Sequence, residues 1–351
     1  MADENDLTDT RIISYERILT PNQLHNRIPL TEFGKQTIKQ ARKVIECILD
    51  GKDKRILLIV GPCSIHNINE AKEYASRLHS LAEKVSDIFF IVMRAYMEKP
   101  RTSTGWTGMI YDPDLNQTHN MNKGLELARE FLVYAANLGL PCGTEYLDPR
   151  LPQYTSDAVA WACIGARTTE SQPHRHMASG LSMPVGFKNA TNGEIKPAID
   201  ALVAASNKHA FFGMDMNGNN VCVKTAGHLY VHIVLRGGKK SPNYNEASIN
   251  EACQLLSKSG FIPKVMIDCS HDNSGKSPEQ QVKVFESVIN SISKGAPVFG
   301  VMLESYIHEG NQPILGNIKE LSKGISVTDP CISWAATERI ISAAYEKLKK
   351  Q

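Results

Sequence analysis

Ile56-Leu57-Leu58-Ile59-Val60-Gly61-Pro62-Cys63-Ser64 decides the fold: five apolar residues in a row, then a turn ending in a thiol and a hydroxyl. An unbroken apolar run fits a strand buried on both faces, as in a parallel sheet. Ala71, Tyr74, Ala75 and Leu78 follow at i, i+3, i+4, i+7, the spacing of an amphipathic helix. The couplet recurs outward along the chain. Apolar runs at 88–94, 140–147, 161–167, 184–188, 229–236, 264–271 and 297–304 complete a set of eight. Helical faces follow the fifth run (Ile195, Ile199, Leu202, Val203) and the seventh (Val282, Phe285, Val288, Ile289). Another closes the chain (Ile340, Ile341, Ala344, Leu348). Eight strand–helix units predict an α/β protein, a (β/α)8 TIM barrel, with a doubly wound open sheet as the alternative.

Two pieces stand outside the eight units. Residues 1–50 form an N-terminal extension ahead of a catalytic barrel at 51–351. The apolar stripe Ile38, Ala41, Val44, Ile45, Ile48 suits it to cap the barrel bottom or dock on another subunit. About residues 209–227, a β-hairpin interrupts the link between strands five and six. Asn217-Gly218 suits a type I′ turn there.

Composition excludes several function classes. A net charge of +2 offers no global field for nucleic acid or a membrane surface. No run approaches eighteen apolar residues, and the opening MADENDLTDT lacks a basic and an apolar leader region, so the chain reads as cytoplasmic. Eight cysteines in 351 residues are too few for a disulfide framework and read as reduced thiols. Neither a P-loop nor a G-x-G-x-x-G fingerprint is present, so nucleotide binding is not indicated.

Every apolar run ends in groups that do chemistry, and in a barrel those ends converge on one face. Arg94, Lys99, Arg101, Arg167, Lys188 and Arg236 would share one bowl. Unpaired, they would repel; phosphates and carboxylates would neutralise them. Local pairing with Glu98, Glu145 or Glu170 is the bland alternative. Cys63, His271 and Glu304 end three strands and Asp329 follows the last. This mixed thiolate, imidazole and carboxylate set suits Mn2+, Fe2+ or Zn2+, with His66 as a competing ligand. Cys331 lies two residues beyond Asp329, placed to approach Cys63.

The segments LLIVGPCSIHN, RAYMEKPRTSTGWTG, CIGARTTESQ, PVGFKN, HIVLRGG, MIDCSHDNS and GVMLESYIHEGNQ resemble the motif series of class I 3-deoxy-D-arabino-heptulosonate-7-phosphate (DAHP) synthases, the short microbial and fungal type. The resemblance runs from about residue 11 to the C-terminus. It implies condensation of phosphoenolpyruvate with erythrose 4-phosphate, with a related phosphoenolpyruvate-condensing sugar-phosphate synthase as the alternative. It implies one divalent ion (Mn2+, Fe2+, Zn2+ or Co2+) on Cys63, His271, Glu304 and Asp329. Phosphoenolpyruvate contacts fall on Arg94, Lys99, Glu145, Gly165, Ala166, Arg167, Lys188 and Arg236. Erythrose 4-phosphate contacts fall on Pro100, Arg101, Thr102 and Asp329. Lys99 is the candidate acid, and Glu145 or a metal-bound water the candidate for handling the attacking water's proton.

The resemblance further implies a homodimer or homotetramer inhibited by an aromatic amino acid. The inhibitor cavity would use Pro152, Gln153, Leu181, Ser182, Phe211, Gly213 and Val221, with Asp9 from a neighbouring subunit. Gly213 favours tyrosine over phenylalanine, because a missing side chain leaves room for the phenol oxygen. The sequence departs from the family pattern at Met97, Thr107, Pro173, His176 and Asp272, the last standing where a small residue is usual.

Overall fold

All eight apolar runs become strands of one closed parallel barrel. The computed structural model describes residues 7–314 and 318–350; the first six residues of the extension lie outside them. The barrel strands are β1 (Ile56–Gly61), β2 (Phe89–Arg94), β3 (Cys142–Glu145), β4 (Trp161–Ile164) and β5 (Val185–Lys188). Then β6 (Ala210–Met214) and β7 (Asn220–Lys224) form a separate antiparallel hairpin. β8 (Val231–Leu235), β9 (Val265–Asp268) and β10 (Val298–Glu304) complete the barrel. Neighbours run β1-β10-β9-β8-β5-β4-β3-β2, and Leu58 pairs with both Ile91 and Val301, which closes the ring. Closure rules out the doubly wound sheet. Several strands are shorter than their apolar runs, because the last residues leave the ladder to enter the loops of the upper face.

A helix follows each barrel strand: α3 (Ile68–Lys84), α4 (Met121–Leu138), α5 (Pro152–Thr155), α6 (Gln172–Ala178), α7 (Lys196–Ala205), α8 (Glu246–Lys258), α9 (Pro278–Ser293) and α10 (Trp334–Leu348). The longer ones start where a side chain accepts a first-turn amide. Asn67, Asn120, Asn245, Ser277 and Ser333 do this for α3, α4, α8, α9 and α10. Each such cap stabilises by about 1 kcal/mol. The predicted helical faces are buried, except that Val282 and Leu348 are half-buried and Val203 is exposed, with Ala201, Leu202 and Ala205 carrying the inner face of α7.

The extension supplies α1 (Pro21–Arg27) and α2 (Glu32–Leu49). Ile38, Ala41, Ile45 and Ile48 of α2 are buried. Arg42 donates to the carbonyls of Ser156 and Val159, just before β4. This helix therefore lies at the N-terminal ends of the strands, away from their polar C-termini. Inside the barrel Trp161 is fully buried and donates Nε1–H to His232 Nε2 at 3.1 Å. Gly186 makes room for it: a Cβ there would meet Trp161 Cζ2 at 2.8 Å. The hairpin is where expected, but its turn is not type I′. Gly218 has φ +82° while Asn217 does not adopt positive φ. Asp215 instead organises a longer loop, its Oδ1 accepting the amides of Asn217 and Asn219. Among the described residues no helix is long and apolar enough to cross a membrane.

Candidate active site

The C-terminal ends of the strands enclose a cavity of about 420 Å3. Lys99, Pro100, Arg101, Thr102, Glu145, Gly165, Ala166, Arg167, Lys188, Arg236, His271 and Asp329 all line it. These come from seven of the eight barrel strands and the loops that follow them. The loop after β2 is anchored by Glu98, which is buried and accepts the amides of Leu147 (2.9 Å) and Asp148 (3.1 Å) and the hydroxyl of Tyr111 (2.8 Å). Burial raises the Glu98 carboxyl to about 8 against the pull of those donors. Glu98 thereby ties the segment carrying Lys99 and Arg101 to the segment following Glu145.

The cations are braced by acids, but not by the ones nearest in sequence. Arg94 pairs with Glu304 at 2.9 Å, Lys188 with Asp268 at 2.9 Å, and Arg236 with Asp272. Glu98 and Glu145 pair with none of them, and among the described residues Glu170 makes no ion pair. Arg94 does not line the cavity; it lies buried beneath its floor, 3.8 Å over the Tyr96 ring. Arg167 donates to Thr102 Oγ1 at 3.1 Å, and neither Arg167 nor Arg101 has an acidic partner among the described residues. These two are free to take an anion. Glu145 Oε1 is buried and accepts no hydrogen bond from the protein. Gly165 leaves it that space, since a Cβ there would meet Oε1 at 2.2 Å. A buried carboxylate oxygen left without a partner beside a cavity is uncommon and offers an acceptor to whatever enters the cavity.

Beneath the cavity, donor atoms of Cys63, Glu304 and Asp329 lie within 4.8 Å of one another. Metal–sulfur bonds of about 2.3 Å and metal–oxygen bonds of about 2.0–2.2 Å put these donors at the reach of one shared ion. His271 stands at the edge of the set, its Nε2 3.7 Å from Glu304 Oε1. Asp268 accepts from Nδ1 at 2.9 Å, which puts the proton on that nitrogen and leaves the Nε2 lone pair for a ligand. Burial opposes ionisation of Asp268, but His271 and Lys188 hold it well below the usual carboxylate range. Burial also opposes Asp329, which Lys99, Lys276 and His271 nonetheless hold low. The Cys63 thiol is pushed up by burial and by Glu304; Lys99 Nζ, 3.1 Å from Sγ, pulls the other way. The donor set fits a borderline divalent cation. His66 is not part of it: its ring faces Glu70 and Tyr306 instead. The Cys63 amide points at Cys331 Sγ, 3.4 Å away, so the two cysteines do meet.

Sequence reasoning placed Asp268 at a strand end but gave it no role as the shared partner of Lys188 and His271, and it missed Lys239, Lys276, Thr191 and Thr328 in the cavity wall. Asp268 ends an apolar run as visibly as His271 follows it, so strand-end position was a usable signal. The others lie on irregular loops and carry none.

A second cavity, about 520 Å3, lies between the hairpin and the segments after β3 and α6. Pro152, Gln153, Leu181, Ser182, Phe211 and Gly213 line it. Val221 pairs with Gly213 on the hairpin, but Val223 forms the wall. Asp9 lies in the exposed N-terminal segment and does not line this cavity within its own chain.

A closed parallel barrel with a cationic bowl, a metal-competent donor set and an open buried carboxylate at its C-terminal face defines a (β/α)8 enzyme for small anionic substrates. The chain belongs to the DAHP synthetase I family, whose model matches residues 30–342. It is 45% identical to the Tyr-sensitive phospho-2-dehydro-3-deoxyheptonate aldolase of Salmonella typhimurium, over 98% of this chain and 97% of that one. Identity to the Trp-sensitive enzyme of Escherichia coli K12 is also 45%, over 96% and 97%. The solved structure of a phospho-2-dehydro-3-deoxyheptonate aldolase from Francisella tularensis superposes with a TM-score of 0.94 at 41% identity, covering 96% of this chain and 98% of that chain.

Proposed function

We infer that the protein is a DAHP synthase. It condenses phosphoenolpyruvate with D-erythrose 4-phosphate and water to give 3-deoxy-D-arabino-heptulosonate 7-phosphate and phosphate, the first step of the shikimate pathway to aromatic amino acids. The observation that carries this reading is the single cavity joining Lys99, Arg101, Arg167, Lys188 and Arg236 to the open carboxylate of Glu145. The cations of this wall hold two phosphorylated substrates so that C3 of phosphoenolpyruvate faces the aldehyde carbon, replacing a bimolecular encounter by a fixed one. Arg101 and Thr102 take the sugar phosphate, and Arg167, Lys188 and Arg236 take phosphoenolpyruvate. Lys99 donates the proton to the nascent alkoxide. Its burial opposes a charge, but Cys63, Glu304 and Glu145 outweigh that and keep it protonated. Glu145 Oε1 receives the proton of the water that attacks C2, after which phosphate leaves with C–O cleavage. Cys63, His271, Glu304 and Asp329 would hold a divalent ion, Mn2+, Fe2+, Zn2+ or Co2+, which when bound supplies Lewis-acid polarisation of the aldehyde oxygen.

The extension and hairpin serve regulation and assembly as a homodimer or homotetramer. The cavity beside Gly213 takes an aromatic amino acid, tyrosine in preference to phenylalanine. Two relatives' names, Tyr-sensitive and Trp-sensitive, support feedback of this kind. All eight cysteines are free thiols, which supports a reducing, cytoplasmic location. The test is phosphate release from phosphoenolpyruvate with and without erythrose 4-phosphate, in EDTA and after Mn2+ addition. Release that requires both the sugar phosphate and the metal is expected. Release driven equally by a five-carbon sugar phosphate would favour a related phosphoenolpyruvate-condensing synthase.

A further inference from the structure

The braced cations of the bowl differ in how tightly their pairs are sealed. In Arg94–Glu304 and Lys188–Asp268 the side chains expose at most 4% of their surface. Arg236–Asp272 is open: Arg236 exposes 8% and Asp272 26%, and both line the active cavity. A sealed pair cannot be separated by an incoming ligand without leaving a charge buried and unpaired. An open pair at the cavity wall can.

Asp272 is delivered to Arg236 by a rigid turn. Its neighbour Asn273 donates through Nδ2 to the carbonyls of Leu235 (3.1 Å) and Asp268 (2.8 Å), and its Oδ1 accepts the Asn243 amide at 2.8 Å. The 271–273 turn is thus pinned to the ends of β8 and β9. The Arg236 backbone is pinned too, its amide donating to Asn189 Oδ1 at 2.8 Å. The carboxylate then occupies guanidinium N–H groups that an anionic substrate also needs.

We propose that Asp272 is an internal competitor for the anionic group that Arg236 receives, and that it lowers the affinity of this active site for phosphoenolpyruvate. The proposal rests on the phosphoenolpyruvate reading above. Substrate binding must displace Asp272 and then tolerate its negative charge at the cavity rim. In the free protein the same carboxylate relieves repulsion among Arg236, Lys188 and Arg167. A residue that merely oriented Arg236 would have the opposite effect on affinity, so the sign of one measurement decides.

The experiment uses the metal-loaded full chain and its Asp272→Ala and Asp272→Asn variants. Kinetics gives KM for each substrate, and calorimetry gives Kd for phosphoenolpyruvate alone and for inorganic phosphate. Removing the carboxylate is expected to lower KM and Kd for phosphoenolpyruvate roughly 3- to 10-fold. KM for erythrose 4-phosphate should stay unchanged, and Asp272→Glu should return affinity towards the wild-type value. Unchanged or weaker phosphoenolpyruvate binding in both variants overturns the proposal. The isosteric Asn variant keeps the test decisive if Asp272→Ala does not fold. Should the wild-type protein fail to consume phosphoenolpyruvate, the functional reading has failed. The phosphate titration still reads the Arg236–Asp272 competition on its own.

Discussion

Cys63 is fully buried, yet its sulfur touches Lys99 and the amide of Asp329 and sits within reach of two carboxylates. No packing requirement explains such company for a thiol. Cys63→Ala and His271→Ala should lose at least about 100-fold in kcat while retaining wild-type circular dichroism. Elemental analysis should show that neither retains a stoichiometric divalent ion. A folded Cys63→Ala with near wild-type turnover in metal-free buffer would dismiss the site. Glu98 carries a different burden, because all three of its partners are donors. Above about pH 8, where Glu98 is ionised and accepts all three bonds, Glu98→Gln turns one oxygen into an NH2 that must face an N–H or O–H. That conflict should cost about 1–3 kcal/mol, visible as a lower Tm. Because Lys99 and Arg101 follow it directly, KM for erythrose 4-phosphate should rise as well. Unchanged Tm and KM would show that the loop does not depend on this carboxylate. Residue identity was legible here and partnership was not. Arg236 and Lys188 stood out as strand-end cations, but their acids, Asp272 and Asp268, lie 36 and 80 residues further along the chain.

The hairpin is an element with one face against the second cavity and another exposed. Phe211, Gly213, Val221 and Val223 share a face by their pairing, whereas Phe212 on the opposite face is almost fully exposed. A side chain at Gly213 would press on Val223, its Cβ meeting Cγ2 at 2.5 Å. Gly213→Ser should therefore both shift the cavity wall and fill the space proposed for a phenol. Initial-rate titrations with tyrosine, phenylalanine and tryptophan should show tyrosine as the strongest inhibitor of the wild type. In Gly213→Ser its potency should fall on the order of 10-fold. Deletion of residues 1–12 should abolish the inhibition, since Asp9 lies outside the cavity of its own chain. Stronger inhibition by phenylalanine would sink the Gly213 argument, and full sensitivity after deletion would sink the shared cavity. At this scale periodicity was informative. The hairpin sat where its flanking residues put it, and only its turn was misread. Asn217-Gly218 named a two-residue turn, but Asp215 binds two amides and draws the loop out to five residues.

The whole barrel carries a pH dependence set by histidines that have nothing to do with the bowl. Burial pushes His232 down to about 3 and His66 down to about 4, from the ordinary value of 6.5. Both are neutral in the folded state, whereas the unfolded chain takes up their protons below about 6.5. Their contribution is fully present above that value and is lost as pH falls towards the folded values. Each should tilt stability by roughly 1.4 kcal/mol per pH unit over that window. Denaturant unfolding between pH 7 and pH 4.5 should show the slope, and His232→Phe should flatten it; an equal slope in the variant would remove His232 from the account. Three properties were determined by the sequence alone: eight buried strands, the helices between them, and the polar groups at the strand ends. Those are local, written in runs and periods that each segment satisfies by itself. Closure was decided only in three dimensions, by β1 pairing with both β2 and β10. Tertiary structure also turned His66 towards Glu70 and Tyr306, placed His271 at the edge of the Cys63, Glu304 and Asp329 donors, and left Glu145 open while Asp272 covers Arg236. The reason is physical: electrostatic partnership depends on distance and burial, and convergence of loops from opposite sides of a ring leaves no trace in local spacing.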